Sequence, residues 1–251
     1  MGMAETDRQE LYEQVATASR ILGTAGLARE TTGHVSARVG DGRMLLRCRL
    51  ESEPGLRFTR TAIAEVDFDP DPTDPPGSMR LPIERHIHGQ LLRLRPDAGA
   101  VVHVHPWSNW LAGIAEIPLR PVMGAFDPGA MAIAVNPPPI YPHSWLISSA
   151  ERGAQLAEFM AGHDACVLRG HGVVTVGATV QEATVRAIRL QTIAAASVAA
   201  HQAGSDYQVS PEEIEELMPV PGSPGARFAE REVWLHYERM AAAAAVKERY
   251  E

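Results

Sequence analysis

Short apolar segments with the spacing of β-strands alternate with helical patterns along most of this chain of 251 residues. Strands are predicted at 34–38, 44–48, 63–68, 100–105, 130–135, 166–168 and 173–176. Helices are predicted at 7–22, 83–94, 107–115, 149–161 and 179–202. Strands that alternate with helices in this way predict an α/β architecture in one domain.

Several helix ends can be predicted from residues that cap them. Thr6 or Asp7 can cap the first helix, and Pro82 occupies a first-turn position of the second. The segments 179–182 and 210–213 have the pattern of capping boxes, ahead of a long Ala-rich helix and a short one.

Two proline-rich segments, 69–78 and 219–225, predict a loop and a linker. The final segment, 227–250, is amphipathic and helical and extends beyond any obvious core. We expect this helix to dock on a partner subunit, because a free helix of that length is marginal in water.

Composition excludes several classes of protein. With 23 basic and 31 acidic residues the formal charge is −8, so the chain lacks the basic surface that nucleic-acid binding requires. No apolar run long enough to span a membrane and no signal peptide are found. Cys48 and Cys166 are too few for a disulfide scaffold and fit a reducing compartment, so we expect a cytoplasmic protein.

Two of the ten histidines lie in the segment 101–105, where histidines alternate with valines. Because side chains on a strand point alternately to opposite faces, His103 and His105 project from the same face. Two imidazoles side by side at a strand end are potential metal ligands. The alternative is a pair of half-buried histidines that form hydrogen bonds with their neighbours, and this pair alone leaves both interpretations open.

His171 and Glu84 complete a possible set of four ligands. His171 lies between Gly170 and Gly172, which permit a tight turn and a close approach of the backbone, and we expect its ring to be exposed. A lone histidine in such a turn is more often only a turn residue. Glu84 begins the second predicted helix and offers a carboxylate. Three imidazoles and a carboxylate suit a divalent Zn, Mn, Fe or Co ion, which can polarise a substrate oxygen.

The remaining histidines are less informative. On a helix His88 shares a face with Glu84, so it can orient a ligand or carry a proton, whereas His86 is expected on the surface. The others have no partner at a telling spacing and are interpreted as structural or solvated: His143, His163, His201 and His236.

The sequence resembles the class II aldolase and adducin family over about 8–200. The motifs that carry the resemblance lie at 33–38, 84, 95–97, 101–106 and 169–172, in matching order and spacing. The resemblance implies a single α/β/α domain, 1–251, with a central, mainly antiparallel sheet flanked by helices. Its core would span about 8–202 and a C-terminal helical extension about 210–251.

The same resemblance implies a function and an assembly. His103, His105 and His171 would hold a divalent metal, and Glu84 would either ligate that metal or transfer protons. The protein would be a homotetramer with active sites at subunit interfaces.

The chain departs from those family members that act on sugar phosphates. Such members usually carry Asn after the first glycine of the first motif and a Ser-Ser pair before the acidic residue, and these groups hold the phosphate. The corresponding residues here are His34, Pro82 and Ile83, which offer fewer donors. Each lost bond to a charged group weakens binding by about 1.5–3 kcal/mol. A phosphosugar aldolase, epimerase or dehydratase is therefore disfavoured.

His34 and the run at 84–89 instead resemble the decarboxylase branch of the family, which acts on dihydroxylated aromatic acids and related carboxylates. His34 and Ser36 are candidates for binding the substrate. Arg57 or Arg60 can pair with a substrate carboxylate, although each alone is equally compatible with a solvated surface position.

These features predict a metal-dependent, non-oxidative decarboxylase, a lyase of aromatic compound catabolism, acting on a small carboxylic acid such as 3,4-dihydroxyphthalate. A metal ion would stabilise the negative charge that develops as carbon dioxide leaves, and Glu84 or His88 would protonate the ring carbon. One alternative is a class II aldolase acting on a non-phosphorylated substrate, which needs the same stabilisation. Another is a non-catalytic, adducin-like assembly protein, which the intact histidines disfavour.

Overall fold

The computed structural model describes residues 5–29, 32–40, 42–50, 62–68, 79–218 and 224–247. Its strands are β1 His34–Gly40, β2 Arg43–Arg47, β3 Arg49–Leu50, β4 Ile63–Asp67, β5 Met79–Arg80, β6 Ala100–Val104, β7 Ile140–Tyr141, β8 Ala165–Leu168 and β9 Val173–Gly177. Its helices are α1 Glu5–Thr24, α2 Arg85–Leu94, α3 Trp107–Ile114, α4 Pro128–Val135, α5 Ala150–Phe159, α6 Val180–Gln202, α7 Pro211–Leu217 and α8 Pro224–Lys247.

A seven-stranded sheet with the order β4-β2-β1-β6-β9-β8-β7 forms the centre of the described residues. Neighbouring strands are antiparallel except for β7 and β8, which are parallel. Helices α1, α3 and α6 cover one face, and α2 and α5 cover the other. The predicted α/β fold with a mainly antiparallel sheet between helices is confirmed.

The alternation of side chains on β1 and β6 separates two apolar cores. Val35 and Val102 point into the core beneath α1 and α6, whereas Val101 points into the core beneath α2 and α5. His34 lies opposite His103 across the two strands, on the same face as Val101. The histidines of both strands are therefore buried between the sheet and α2.

The prediction of a strand at 130–135 is wrong, because this segment belongs to helix α4. The Asp127 carboxylate accepts a hydrogen bond of 2.9 Å from the backbone N–H of Ala130, and Pro128 occupies the first turn. A short apolar run cannot by itself distinguish a buried strand from a buried helix. The capping residue just before the run is the signal that decides in favour of a helix.

Two predicted helix starts also differ from the structure. Thr6 and Asp7 lie within α1, whose first described residue is Glu5, so neither is its N-cap. Helix α2 begins at Arg85 with Glu84 as N-cap, which places Pro82 ahead of the helix rather than in its first turn.

The two predicted capping boxes have different outcomes. Ser210 and Glu213 form a complete box at the start of α7. The Thr179 hydroxyl accepts a hydrogen bond from the backbone N–H of Glu182. The Glu182 carboxylate, however, accepts a hydrogen bond from the backbone N–H of Ala178 instead of that of Thr179. At the start of α6, therefore, only the Thr179 half of the capping box is present.

Helix α8 packs against α1 and α6 of its own chain, and its Trp234 and Ala241 are buried in the same core. The expectation that this helix extends beyond the core is wrong for these residues. Helix α8 begins inside the predicted linker, at Pro224, while 219–223 and the predicted loop at 69–78 lie outside the described residues.

Candidate active site

Strand β6 presents His103 and leads directly to His105. The Nδ1 atom of His103 lies 3.0 Å from the carbonyl oxygen of Val173. Because a carbonyl can only accept, Nδ1 carries the proton and Nε2 keeps a free lone pair. The Nε2 atom of His105 lies 3.0 Å from that Nε2, so the two rings point their outer nitrogens at one place.

His171 lies in the turn between β8 and β9, where Gly170 adopts a φ of +64° that favours glycine. A Cβ on Gly172 would lie 2.4 Å from the last carbonyl oxygen of β6 and 2.7 Å from Cδ2 of His105. Glycine thus allows the turn to bring the His171 ring to 5.0 Å from that of His103, between centroids. The side chain of His171 is only 8% exposed, so the expectation of an exposed ring is wrong.

The two carboxylate oxygens of Glu84, the N-cap of α2, have different partners. Its Oε1 accepts a hydrogen bond of 2.9 Å from the backbone N–H of Ile147. Its Oε2 lies 3.4 Å from Nε2 of His103 and 3.2 Å from Nε2 of His171. Neither ring nitrogen of His171 makes a hydrogen bond with a described residue. The contact between His171 and Glu84 is therefore a close approach of charged and polar atoms without hydrogen-bond geometry.

The spacing of these donor atoms fits a divalent cation. Ligands about 2.1 Å from an ion, at angles of about 90–109°, are separated by about 3.0–3.4 Å. The three separations just given span 3.0–3.4 Å, and the four donor atoms all lie within 4.8 Å of one another. The Nε2 atom of His171 is buried and makes no hydrogen bond with a described residue, as expected of a nitrogen that ligates a cation. The arrangement can therefore hold a metal ion at Glu84, His103, His105 and His171.

The pKa values of these groups also suit metal ligation. Burial alone would raise the pKa of Glu84, but its contacts with His103 and His171 hold it well below the usual range. Burial, and then the neighbouring His103 and His171, lower the pKa of His105 to about 3. A carboxylate and a neutral imidazole are the protonation states that bind metal.

A second buried polar group, which we call the Ser36–His88–His34 chain, lies beside the four candidate ligands. The Nδ1 of His88 lies 2.7 Å from Ser36 Oγ, and its Nε2 lies 3.0 Å from Nδ1 of His34. The His34 ring centroid is 5.1 Å from that of His103, so the chain ends against the candidate metal site. Burial, and then the nearby His103, lower the pKa of His88 to about 3, which keeps it neutral.

This geometry changes the roles predicted for His88 and Ser36. Both ring nitrogens of His88 are engaged and its side chain is fully buried, so it reaches a substrate only through His34. Ser36 is also fully buried, and its hydroxyl forms a hydrogen bond with His88, so it does not face a substrate directly. His34 is the member of the chain whose ring contacts that of a candidate ligand, His103.

Other predicted positions lie away from the ligands or outside the described part. His86 is buried, so the expectation that it lies on the surface is wrong. Arg57 and Arg60 lie outside the described residues. A cavity of about 520 Å³ is lined by residues of α4 and α6, including Arg186 and Arg189, but by none of the candidate ligands.

Sequence reasoning missed two contributions to the site. The first is the Ile147 amide, which no side-chain pattern reveals because a backbone group is the donor. The second is a set of exposed apolar side chains, which we call the apolar rim, each within two positions in sequence of a residue that bears on the site. The apolar rim consists of Ile83 before Glu84, Trp107 after His105, and Trp145 and Leu146 before Ile147.

Comparisons with known proteins agree on a family. The model described as "Class II Aldolase and Adducin N-terminal domain" matches residues 13–198. The chain is 35% identical over 229 residues to 3,4-dihydroxyphthalate decarboxylase of Arthrobacter keyseri, covering 89% of this chain and 91% of that protein. It is 34% identical over 241 residues to the protein of the same name from Rhodococcus jostii, covering 93% and 97%.

Solved structures show the same fold. L-fuculose 1-phosphate aldolase from Glaciozyma antarctica PI12 superposes with a TM-score of 0.78, covering 99% of this chain and 94% of that one, at 17% identity. At this identity the likeness concerns the fold alone. No helix in the described part of the chain combines the length and the apolarity that crossing a membrane requires.

Proposed function

This chain belongs to the class II aldolase and adducin family, and from that membership we propose that it is a divalent-metal-dependent, non-oxidative decarboxylase. The proposed substrate is a hydroxylated aromatic carboxylic acid of the 3,4-dihydroxyphthalate type. The observation that carries the proposal is the 35% identity, over 89% of the chain, with a protein named for that activity. The grouping of three imidazoles and one carboxylate supports it independently.

The ligand set would hold the ion through His103, His105, His171 and Glu84. When bound, the ion supplies Lewis-acid stabilisation of the negative charge that develops on the substrate as carbon dioxide leaves. Divalent Zn, Mn, Fe and Co are all compatible with nitrogen-rich ligands of this kind. Glu84 acts as a ligand rather than as an acid, because its low pKa leaves no proton to donate.

The remaining residues bind and orient the acid. In the net reaction the bond between ring carbon and carboxyl carbon breaks, and a proton takes the place of the departing carbon dioxide. His34 is the candidate for contacting the substrate, because it adjoins the ligands and retains some exposure. Arg57 and Arg60 remain our candidates for pairing with a substrate carboxylate. Any proton carried by His88 passes through His34.

The test is release of carbon dioxide from 3,4-dihydroxyphthalate by the purified protein. We expect turnover by the metal-loaded protein, loss of turnover after chelation, and recovery when a divalent metal is added back. A control acid without hydroxyl groups, phthalate, should release no carbon dioxide because it has no hydroxyl oxygen to take up the developing charge. Turnover that survives complete chelation would contradict the proposal. Pyruvate or an aldehyde among the products would indicate aldol cleavage instead.

We further propose a cytoplasmic homotetramer with active sites at subunit interfaces and a single catalytic domain. The apolar rim supports the interface, because its side chains are exposed, large and apolar and lie close in sequence to site residues, and a partner subunit could cover such side chains. Cys48 and Cys166 are buried and form no disulfide with each other, which supports a reducing compartment. Light scattering on the eluting protein should give a mass about four times the 27.2 kDa of the chain. A monomer that is fully active would contradict the interface.

A further inference from the structure

We propose that Ser36 and His88 are positioning residues that fix the proton of His34 on Nε2, so that His34 donates a hydrogen bond to a carboxylate oxygen of the substrate. The inference rests on the proposed function, because it assigns a part of that same site to a carboxylate substrate. It concerns the Ser36–His88–His34 chain, which runs from beneath α2 to the edge of the candidate metal site.

The direction of the hydrogen bonds follows from the buried serine. Within the part of the chain that the structure describes, the Ser36 hydroxyl has one hydrogen-bond partner, Nδ1 of His88 at 2.7 Å. A fully buried hydroxyl proton needs an acceptor, so Ser36 donates and Nδ1 accepts. The single proton of the neutral His88 ring then lies on Nε2 and is donated to Nδ1 of His34. His34 must consequently carry its own proton on Nε2.

The opposite direction leaves a buried donor without a partner. The carbonyl of Val101 also faces the His88 ring and favours a proton on that ring. If Nδ1 of His88 carried that proton, however, the Ser36 hydroxyl proton would have no acceptor among the described residues. The arrangement in which Ser36 donates satisfies all the ring nitrogens of His88 and the hydroxyl together.

The free nitrogen of His34 is open to the site. Its Nε2 makes no hydrogen bond with a described residue, and His34 as a whole is 9% exposed. A nitrogen that carries a proton cannot ligate a cation, which separates His34 from the metal ligands. It can donate to a carboxylate, which only accepts. Sugar hydroxyls, which both donate and accept, do not require a fixed donor.

The closing experiment compares Ser36→Ala with Ser36→Thr, which keeps the hydroxyl. In Ser36→Ala no hydroxyl donates to Nδ1 of His88, so that nitrogen is free to carry the ring proton; the protons then shift along the chain and His34 presents a lone pair. We expect KM for 3,4-dihydroxyphthalate to rise about tenfold or more, as for the loss of one bond to a charged group, with a smaller change in kcat and unchanged metal content. Ser36→Thr should recover most of the loss.

A readout that does not depend on turnover locates the protons directly. In a neutron crystal structure of the wild-type protein, deuterium is expected on Nε2 of His34 and on Nε2 of His88. Deuterium on Nδ1 of His34 overturns the inference. The matched control is Ser19→Ala, which removes another buried hydroxyl, bonded to Val15 within α1, and should leave KM unchanged.

The outcomes separate the two proposals. If the wild-type protein turns over the acid but Ser36→Ala retains its KM and folds normally, the positioning role is wrong and the proposed function stands. If the wild-type protein releases no carbon dioxide, the proposed function fails, and the neutron structure alone decides the position of the protons.

Discussion

Replacing Gly172 by Ala should separate metal binding from folding. The added Cβ would lie 2.4 Å from the last carbonyl oxygen of β6, whereas real Cβ contacts stay beyond 3.0 Å. The turn that carries His171 must therefore move away from β6 by at least the difference between these two distances, about 0.6 Å. Metal–ligand distances tolerate only about 0.2 Å. The displacement is roughly three times that tolerance, so His171 should leave the ligand set.

The consequences can be measured by metal analysis and by thermal unfolding. We expect Gly172→Ala to be purified with less than a tenth of the wild-type metal, while its circular dichroism spectrum stays that of a folded protein. Overpacking of this kind costs about 1–3 kcal/mol, or roughly 2–12 °C in Tm for a chain of this size. A chelator should lower the Tm of the wild-type protein but not that of the variant, since binding to the folded state is what stabilises it.

Gly40→Ala is the matched control. Gly40 also lies at the end of a strand, but a Cβ there would meet no atom within 4 Å. This substitution should leave metal content and activity unchanged. If Gly172→Ala retained full metal stoichiometry and affinity, the argument that turn position sets the ligand geometry would be refuted.

Three further predictions concern a ligand, acid stability and a helix cap. Glu84→Gln keeps the shape of the side chain but not its charge, so the metal affinity measured by competition with a chelator should fall by at least about 10–100-fold, the effect of losing an outer-shell partner. Burial lowers the pKa of His88 to about 3, so between about pH 3 and 6.5 the unfolded state binds more protons. The Tm of the metal-free protein should therefore fall as the pH drops through that window, and less so in His88→Gln; equal slopes would contradict this. Asp127→Ala removes the cap of α4 and should cost about 1 kcal/mol, or about 2–4 °C in Tm, with activity intact.

Local periodicity explains what the sequence could predict. The side chains of His103 and His105 were expected on one side because the period of a strand is a local property. The glycines around His171 signal a close approach of the backbone, although not what is approached. The four candidate ligands could thus be named from the sequence, and the structure brings them together.

Contacts between distant segments could not be predicted in this way. The link between His34 and His88 joins residues 54 positions apart, on a strand and a helix, and no local pattern encodes their distance. The burial of His86 depends on α5, which packs closely enough on α2 that a Cβ on Gly153 would lie 2.6 Å from the His86 carbonyl oxygen. The helix at Pro128–Val135 was missed because a short apolar run fits both kinds of element.

The candidate ligands come from three separate stretches of chain: the start of α2, the end of β6 and the turn between β8 and β9. An ion bound to all of them would act as a reversible cross-link, closing loops of 19 residues from Glu84 to His103 and 66 residues from His105 to His171. Only the folded chain brings all four ligands together, so cation supply would govern how quickly backbone amides in these strands exchange with solvent. The protein's lifetime in a cell would then follow the availability of its metal.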